Sequence, residues 1–269
     1  MALNHGKSVY YACRPENEFQ PDPGEIESLI TARTRAIVVI NPNNPTGAVY
    51  EQARLQAIAE LAAKHQLVVF SDEIYDQILY EDAVHVPMAS LVRNSLCVTF
   101  NGLSKIYRAC GYRVGWMIFS GEREHAGAYM HAVELLASLR LCASVPGQWA
   151  MQTALGGFQS IHQLTAPGGR LFESRQAIMQ GVARSRFLSL CAPRGAMYAF
   201  VRVNTDLMAG FDDRAFAMEL LEKKHVLIAP GSSFNVPYRD HFRITTLPDA
   251  LQMEEVFRRM EEVLEFLAA

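Results

Sequence analysis

The chain has 269 residues, half of them hydrophobic, which is enough for one large domain or two modest ones with real cores. Lys and Arg number 25 against 28 Asp and Glu, a net charge of −3 spread without long runs of one sign, so neither nucleic acid nor a membrane surface is expected as a partner. Five cysteines, odd in number and without a C-x-x-C pair, argue against a disulfide framework or a zinc site and read as thiols of a reducing compartment.

Residues 1–7 hold no apolar core of a signal peptide, and no apolar stretch is long enough to span a bilayer, so a cytoplasmic protein is expected. The run 36–40, AIVVI, is β-branched and closed by Asn and Pro, as expected of a strand buried on both faces. A helical pattern follows over 50–65, with Leu55, Ile58, Ala59, Leu61 and Ala62 in one apolar stripe. Residues 67–70 and 96–100 are two more buried strands, and 114–119 supplies a fourth that is free to run the other way. Strand, helix, strand in this rhythm predicts a largely parallel α/β domain.

From 123 to 161 the chain reads as helical with a break near 145–147. The segment Ala166-Pro167-Gly168-Gly169 is the best boundary, giving a large α/β unit over 1–165 and a smaller α+β unit over 166–269. The second unit opens with a helix from about Arg170 and continues with an alternating strand at 197–201 and a helix over 213–225. Two short strands and an amphipathic helix from Asp249 complete it. No internal repeat or low-complexity segment is present.

Polar groups fall at or just beyond the carboxyl ends of successive strands, the edge at which open α/β sheets bind ligands. Lys105 follows the strand at 96–100, where a hydrated ammonium is out of place. Burial there lowers a lysine pKa, and a neutral amine can attack a carbonyl and form a Schiff base. Arg113, eight residues on, suits a phosphate through bidentate hydrogen bonds. The pair suggests a covalent pyridoxal phosphate enzyme. Asn44 sits in a turn fixed by Pro42, Pro45 and Gly47, so its amide is aimed. Asp72, at a strand end, can pair with a protonated pyridine nitrogen, and Tyr75 can donate to the cofactor's ring oxygen. Glu73 and Asp76 read as solvated or structural. Arg243 lies in a period-two strand pattern, facing either solvent or a substrate carboxylate.

Each residue has an ordinary alternative: a strand-to-helix turn for Asn44, a helix N-cap for Asp72, a solvated side chain for Lys105. All of these holding together in this order is improbable. The motifs N-P-N-N-P-T-G (41–47), S-D-E-I-Y-D (71–76), S-K at 104–105 with Arg113 beyond, and F-R-I (242–244) resemble those of the class I/II aminotransferases, a family of fold type I pyridoxal phosphate enzymes. The stretches 100–108, 139–143, 167–171 and 192–198 look closest to the bacterial glutamate–pyruvate (alanine) aminotransferases.

That resemblance implies a parallel-sheet pyridoxal phosphate transferase fold, with Lys105 forming the Schiff base and then moving the substrate α-proton. It implies that Asn44 and Tyr75 contact the cofactor's phenolic oxygen, Asp72 its ring nitrogen, and Arg113 its phosphate. It further implies that Arg243 binds the substrate α-carboxylate beside Asn44, and that the enzyme is a homodimer. The substrates implied are amino acids and 2-oxo acids, with alanine, glutamate, pyruvate and 2-oxoglutarate favoured. Many relatives carry a phosphate-binding Ser where this chain has Gly102, and Ser104 is the candidate to stand in. Family members also carry more than a hundred residues before the point that matches Met1, among them a Gly-containing phosphate loop. Residues 4–8 are too short for that loop, so the chain reads as N-terminally incomplete. The other expectations weighed are a weakly active or inactive fragment, a carbon–sulfur lyase on the same scaffold, and a non-catalytic ligand-sensing domain of the kind fused to DNA-binding modules. The last lacks any helix-turn-helix segment or basic arm.

Overall fold

The computed structural model describes residues 5–268; residues 1–4, which enter the readings of a leader and of a phosphate loop, lie outside the described residues. After an irregular start, α1 (Pro23–Leu29) is capped by Asp22, whose carboxylate accepts from the Gly24 N–H, with Pro23 supplying the pre-set backbone of the first turn. The first sheet then forms as β1 (Ala36–Ile40), α2 (Gln52–Lys64), β2 (Val68–Asp72), α3 (Met88–Leu91), β3 (Leu96–Gly102) and β4 (Gly115–Gly121). Its order is β1-β2-β3-β4; the first three are parallel and β4 runs antiparallel to β3. Helices α4 (Gly127–Leu139), α5 (Val145–Gly156) and α6 (Ile161–Thr165) follow. This is the α/β, largely parallel sheet that the apolar runs predict.

One expectation needs correcting. β1 and β2 are not buried on both faces, because burial alternates along them: Ile37, Val39, Val69 and Ser71 are enclosed, while Val38, Val68 and Phe70 are partly open. The closed face packs on Leu55, Ile58, Ala59 and Ala62 of α2 and on Ile26 of α1. The other face meets only a thin cover that includes Ala126 and Met130.

The second sheet contains β5 (Leu188–Leu190), β6 (Tyr198–Val203), β7 (Ala229–Pro230) and β8 (His241–Thr245), in the order β5-β6-β8-β7 and antiparallel throughout. Helices α7 (Arg170–Arg184), α8 (Asp213–Lys224) and α9 (Ala250–Ala268) cover one face. The two-residue period of β6 and β8 sorts their side chains. Ala199, Val201, Phe242 and Ile244 point into the helical core, so Tyr198, Phe200, His241 and Arg243 share the opposite face. Phe200 on that face stands edge-to-face with Phe19 and shares a core cluster with Val39 and Val69 of the first layer, so this part of the second face is covered too. At Gly181 of α7, an added Cβ would lie 2.4 Å from the Phe257 ring of α9, so only glycine permits this crossing.

Candidate active site

The turn after β1 is built by its own side chains. Asn43 Oδ1 accepts from Thr46 N–H and from Thr46 Oγ1 at 2.8 Å, while Asn43 Nδ2 donates to Ile40 O and to Tyr50 Oη. Gly47, at φ +72°, lets its carbonyl accept from Arg194 N and Gly195 N at 2.9 and 2.8 Å, tying the turn to the segment leading into β6. Asn44 is thereby held with its Oδ1 accepting from Arg243 Nη1 at 2.8 Å, across 199 residues of sequence. That bond leaves the Asn44 Nδ2 group as a free-facing donor.

Arg243 therefore faces the first layer, not solvent. Its guanidinium lies 4.3 Å over the Tyr198 ring and 4.8 Å from the Phe234 ring centroid. Its Nε is buried without a hydrogen-bond partner, and among the described residues no carboxylate pairs with it. A planar cation with an orphaned donor between two aromatic rings suits a bidentate carboxylate contact.

Asp72 closes β2 and accepts one backbone hydrogen bond, from Ile74 N at 3.2 Å. Burial pushes its carboxyl up from the ordinary range, opposed in part by the nearby Lys105 ammonium. A desolvated carboxylate with spare lone pairs suits a cationic N–H donor such as a pyridinium. Tyr75 is buried, and its phenol is pushed up, first by burial and then by its hydrogen bond to Tyr198 at 2.8 Å, so it stays protonated and able to donate. Lys105 Nζ stands 5.8 Å over the Tyr75 ring. Its backbone is anchored by Leu103 and Ile106, both buried, while the lysine itself is half-buried, less enclosed than a place behind a buried strand suggests.

β3 and β4 pair Gly102 with Gly115, so Lys105 and Arg113 leave the same end of this antiparallel pair, which is what their eight-residue spacing encodes. A Cβ on Gly102 would come within 2.8 Å of Val114 O, so glycine fits the tight crossing and a serine there would need the strands to shift. Arg113 is exposed, at φ +55°, and donates to Cys110 O at 2.8 Å. No hydrogen bond or ion pair joins Arg113 or the half-buried Ser104 to the other candidates among the described residues. The structure thus brings together Asn44, Asp72, Tyr75, Lys105 and Arg243, and leaves the two phosphate candidates on the open side. The residues present fit the ring, the reactive carbon and the substrate carboxylate of pyridoxal phosphate chemistry; for the phosphate end the candidates are Arg113 and Ser104.

Of the two readings open for Glu73, the structural one holds: it is buried, accepts from Ser71 Oγ at 2.8 Å and Met88 N at 3.0 Å, and its Oε2 lies 3.1 Å from His85 Nε2. His85 Nδ1 is in turn 3.3 Å from Asn41 Nδ2, and Asn41 Oδ1 accepts from Tyr50 N, so this acid braces the ends of β1 and β2 behind the site. One feature escaped the sequence reading: Tyr198, which touches both Tyr75 and Arg243.

The family model for class I and II aminotransferases matches residues 1–260. The chain belongs to that family. It is 48% identical over 248 residues to the glutamate-pyruvate aminotransferase AlaA of Escherichia coli, covering 92% of this chain and 61% of that protein. It is 45% identical over 263 residues to the alanine aminotransferase of Mycobacterium tuberculosis, covering 98% of this chain and again 61% of the relative. An aminotransferase structure from Escherichia coli superposes with a TM-score of 0.96 at 45% identity, covering all of this chain and 66% of that one. The alanine aminotransferase of Pyrococcus furiosus gives a TM-score of 0.89 at 34% identity, covering 97% of this chain and 65% of that one. This family member thus spans about three-fifths of the length of the curated relatives it matches.

Proposed function

We propose that this chain carries the catalytic lysine, ring contacts and carboxylate arginine of a pyridoxal phosphate-dependent aminotransferase acting between alanine or glutamate and the corresponding 2-oxo acids. The observation that carries the reading is the Arg243–Asn44 contact, which sets an unpaired guanidinium beside the amide, phenol and lysine that face one edge of the first sheet. When bound, pyridoxal phosphate supplies a carbonyl for the amine and an electron sink that acidifies the substrate α-carbon. Asp72 would hold the proton on the ring nitrogen; Asn44 Nδ2 and Tyr75 Oη would donate to the ring oxygen. Arg243 fixes the α-carboxylate and with it the direction of the Cα–H bond. Lys105 Nζ would hold the cofactor, and as a free amine it would be the group placed to take and return the α-proton. Arg113 and Ser104 are the residues that would hold the phosphate.

The same reading divides the chain at 165/166, with the lysine and ring contacts on the first unit and the carboxylate arginine on the second. It extends to a homodimer in a chain of the relatives' full length, working in the cytoplasm. Among the described residues no helix is long and apolar enough to cross a membrane.

Adding pyridoxal phosphate to the purified chain, reducing with borohydride and mapping the pyridoxyl group is expected to label Lys105. A folded sample labelled elsewhere, or not at all, would sink the assignment. Amino transfer from alanine to 2-oxoglutarate, followed as pyruvate, then tests the substrate pair.

A further inference from the structure

Tyr198 stands where the two candidate half-sites meet. It is the first residue of β6, pairs with Thr245 of β8, and lies diagonal to Arg243 on the same sheet face, a separation that aromatic and long side chains can bridge. Its ring is edge-to-face with Tyr75, centroids 5.6 Å apart at 82°, and its other contact is the Arg243 guanidinium. Both phenols are buried, and their hydroxyls are 2.8 Å apart.

A phenol has one proton to donate. If Tyr75 spent it on Tyr198, it would have none for a ligand; if Tyr198 donates to Tyr75 Oη, the Tyr75 proton is released to point into the site. A donor that itself accepts a hydrogen bond is also a stronger donor. The Tyr198 ring meanwhile offers its face to the arginine, which limits the planes the guanidinium can adopt.

Resting on the aminotransferase reading, we propose that Tyr198 is a positioning residue that aligns both halves of the site. Its hydroxyl turns the Tyr75 proton toward the cofactor's ring oxygen, and its ring seats Arg243 for the substrate carboxylate. The two roles separate by variant. Y198F deletes the hydroxyl and keeps the ring, and Y198L deletes both.

The test uses the 269-residue chain loaded with pyridoxal phosphate at Lys105, with two readouts: the pH midpoint of the bound cofactor's absorbance, and the affinity for propionate as an unreactive carboxylate. Y198F is expected to raise the midpoint by about half to one pH unit, since the ring oxygen loses a well-aimed donor, and to leave propionate affinity unchanged. Y198L is expected to give the same shift and to weaken propionate by about three- to tenfold. In a Y75F background, Y198F is expected to move the midpoint no further, because its effect runs through Tyr75. An undiminished shift in that background, or wild-type propionate affinity in Y198L, overturns the proposal. If the wild-type chain takes no cofactor at Lys105, the aminotransferase reading is what has failed. The pair is then read in the bare chain by NMR of ring-labelled tyrosine. Tyr75 is expected to show the largest Cζ shift change in Y198F, and an unmoved Tyr75 resonance overturns the alignment.

Discussion

The second sheet and the β4–α4–α5 stretch are written in the same apolar residues and end in opposite environments. Phe242, Val201 and Leu220 are sealed between the sheet and three helices. On α4 and α5, Leu136, Leu139 and Trp149 are 68%, 78% and 74% exposed, and β4 shows Met117 and Ile118 to solvent. Composition does not distinguish them; the presence of an opposing surface does. α7 and α9 aim their apolar stripes at one sheet face and at each other, whereas α4 finds only the thin cover over β3 and β4.

Substitutions can break or sharpen that contrast. The largest expected effect is Phe242→Ala in the sealed core, which should cost about 3–5 kcal/mol in urea unfolding. A loss below 1 kcal/mol would mean that the core is not sealed. Gly181→Ala comes next: its methyl runs into the Phe257 ring, and the forced separation of α7 and α9 should cost about 1–3 kcal/mol in the same measurement.

The third is a pH effect at His241 of β8. Burial lowers its pKa, with the Arg202 charge adding to that and Asp240 and Glu16 opposing it. The unfolded chain therefore binds the proton more readily. Stability should be intact above the unfolded value of about 6.5 and fall as the pH drops below it, by at most about 1.4 kcal/mol per unit. Asp240, which burial pushes up, is held below the ordinary range by Arg202 and His241, so its contribution is lost at lower pH. His241→Asn should flatten the slope just below neutrality; an unchanged slope there assigns it to other groups. The smallest effect belongs to the open face: Leu136→Ala on α4 should shift stability by no more than about 0.5 kcal/mol.

The parts of the molecule that could be read in advance are those with local signatures. The runs 36–40, 67–70 and 96–100 and the stripe on α2 needed only periodicity, and Asn44, Asp72 and Lys105 stand out because strand ends in an α/β sheet form a binding edge. β5 was missed because three residues, Leu-Ser-Leu, carry too little alternation to register. The face taken by Arg243 was ambiguous because alternation says which residues share a side, not what covers that side. Glu73 stays open between a solvated and a structural role in the sequence because the groups that bury it, His85 and Met88, lie more than ten residues away. Tyr198 was invisible as a site residue for the same reason on a larger scale, since its partner is 123 residues distant.

The clip at Gly47 gives the two sheets a shared joint. Its carbonyl takes two hydrogen bonds from the lead-in to β6, and three residues earlier Asn44 reaches Arg243 on β8. A shift of the second sheet would therefore act on the asparagine as well. On the proposed reading, a contact to a substrate carboxylate and one to a ring oxygen would be coupled through this single joint.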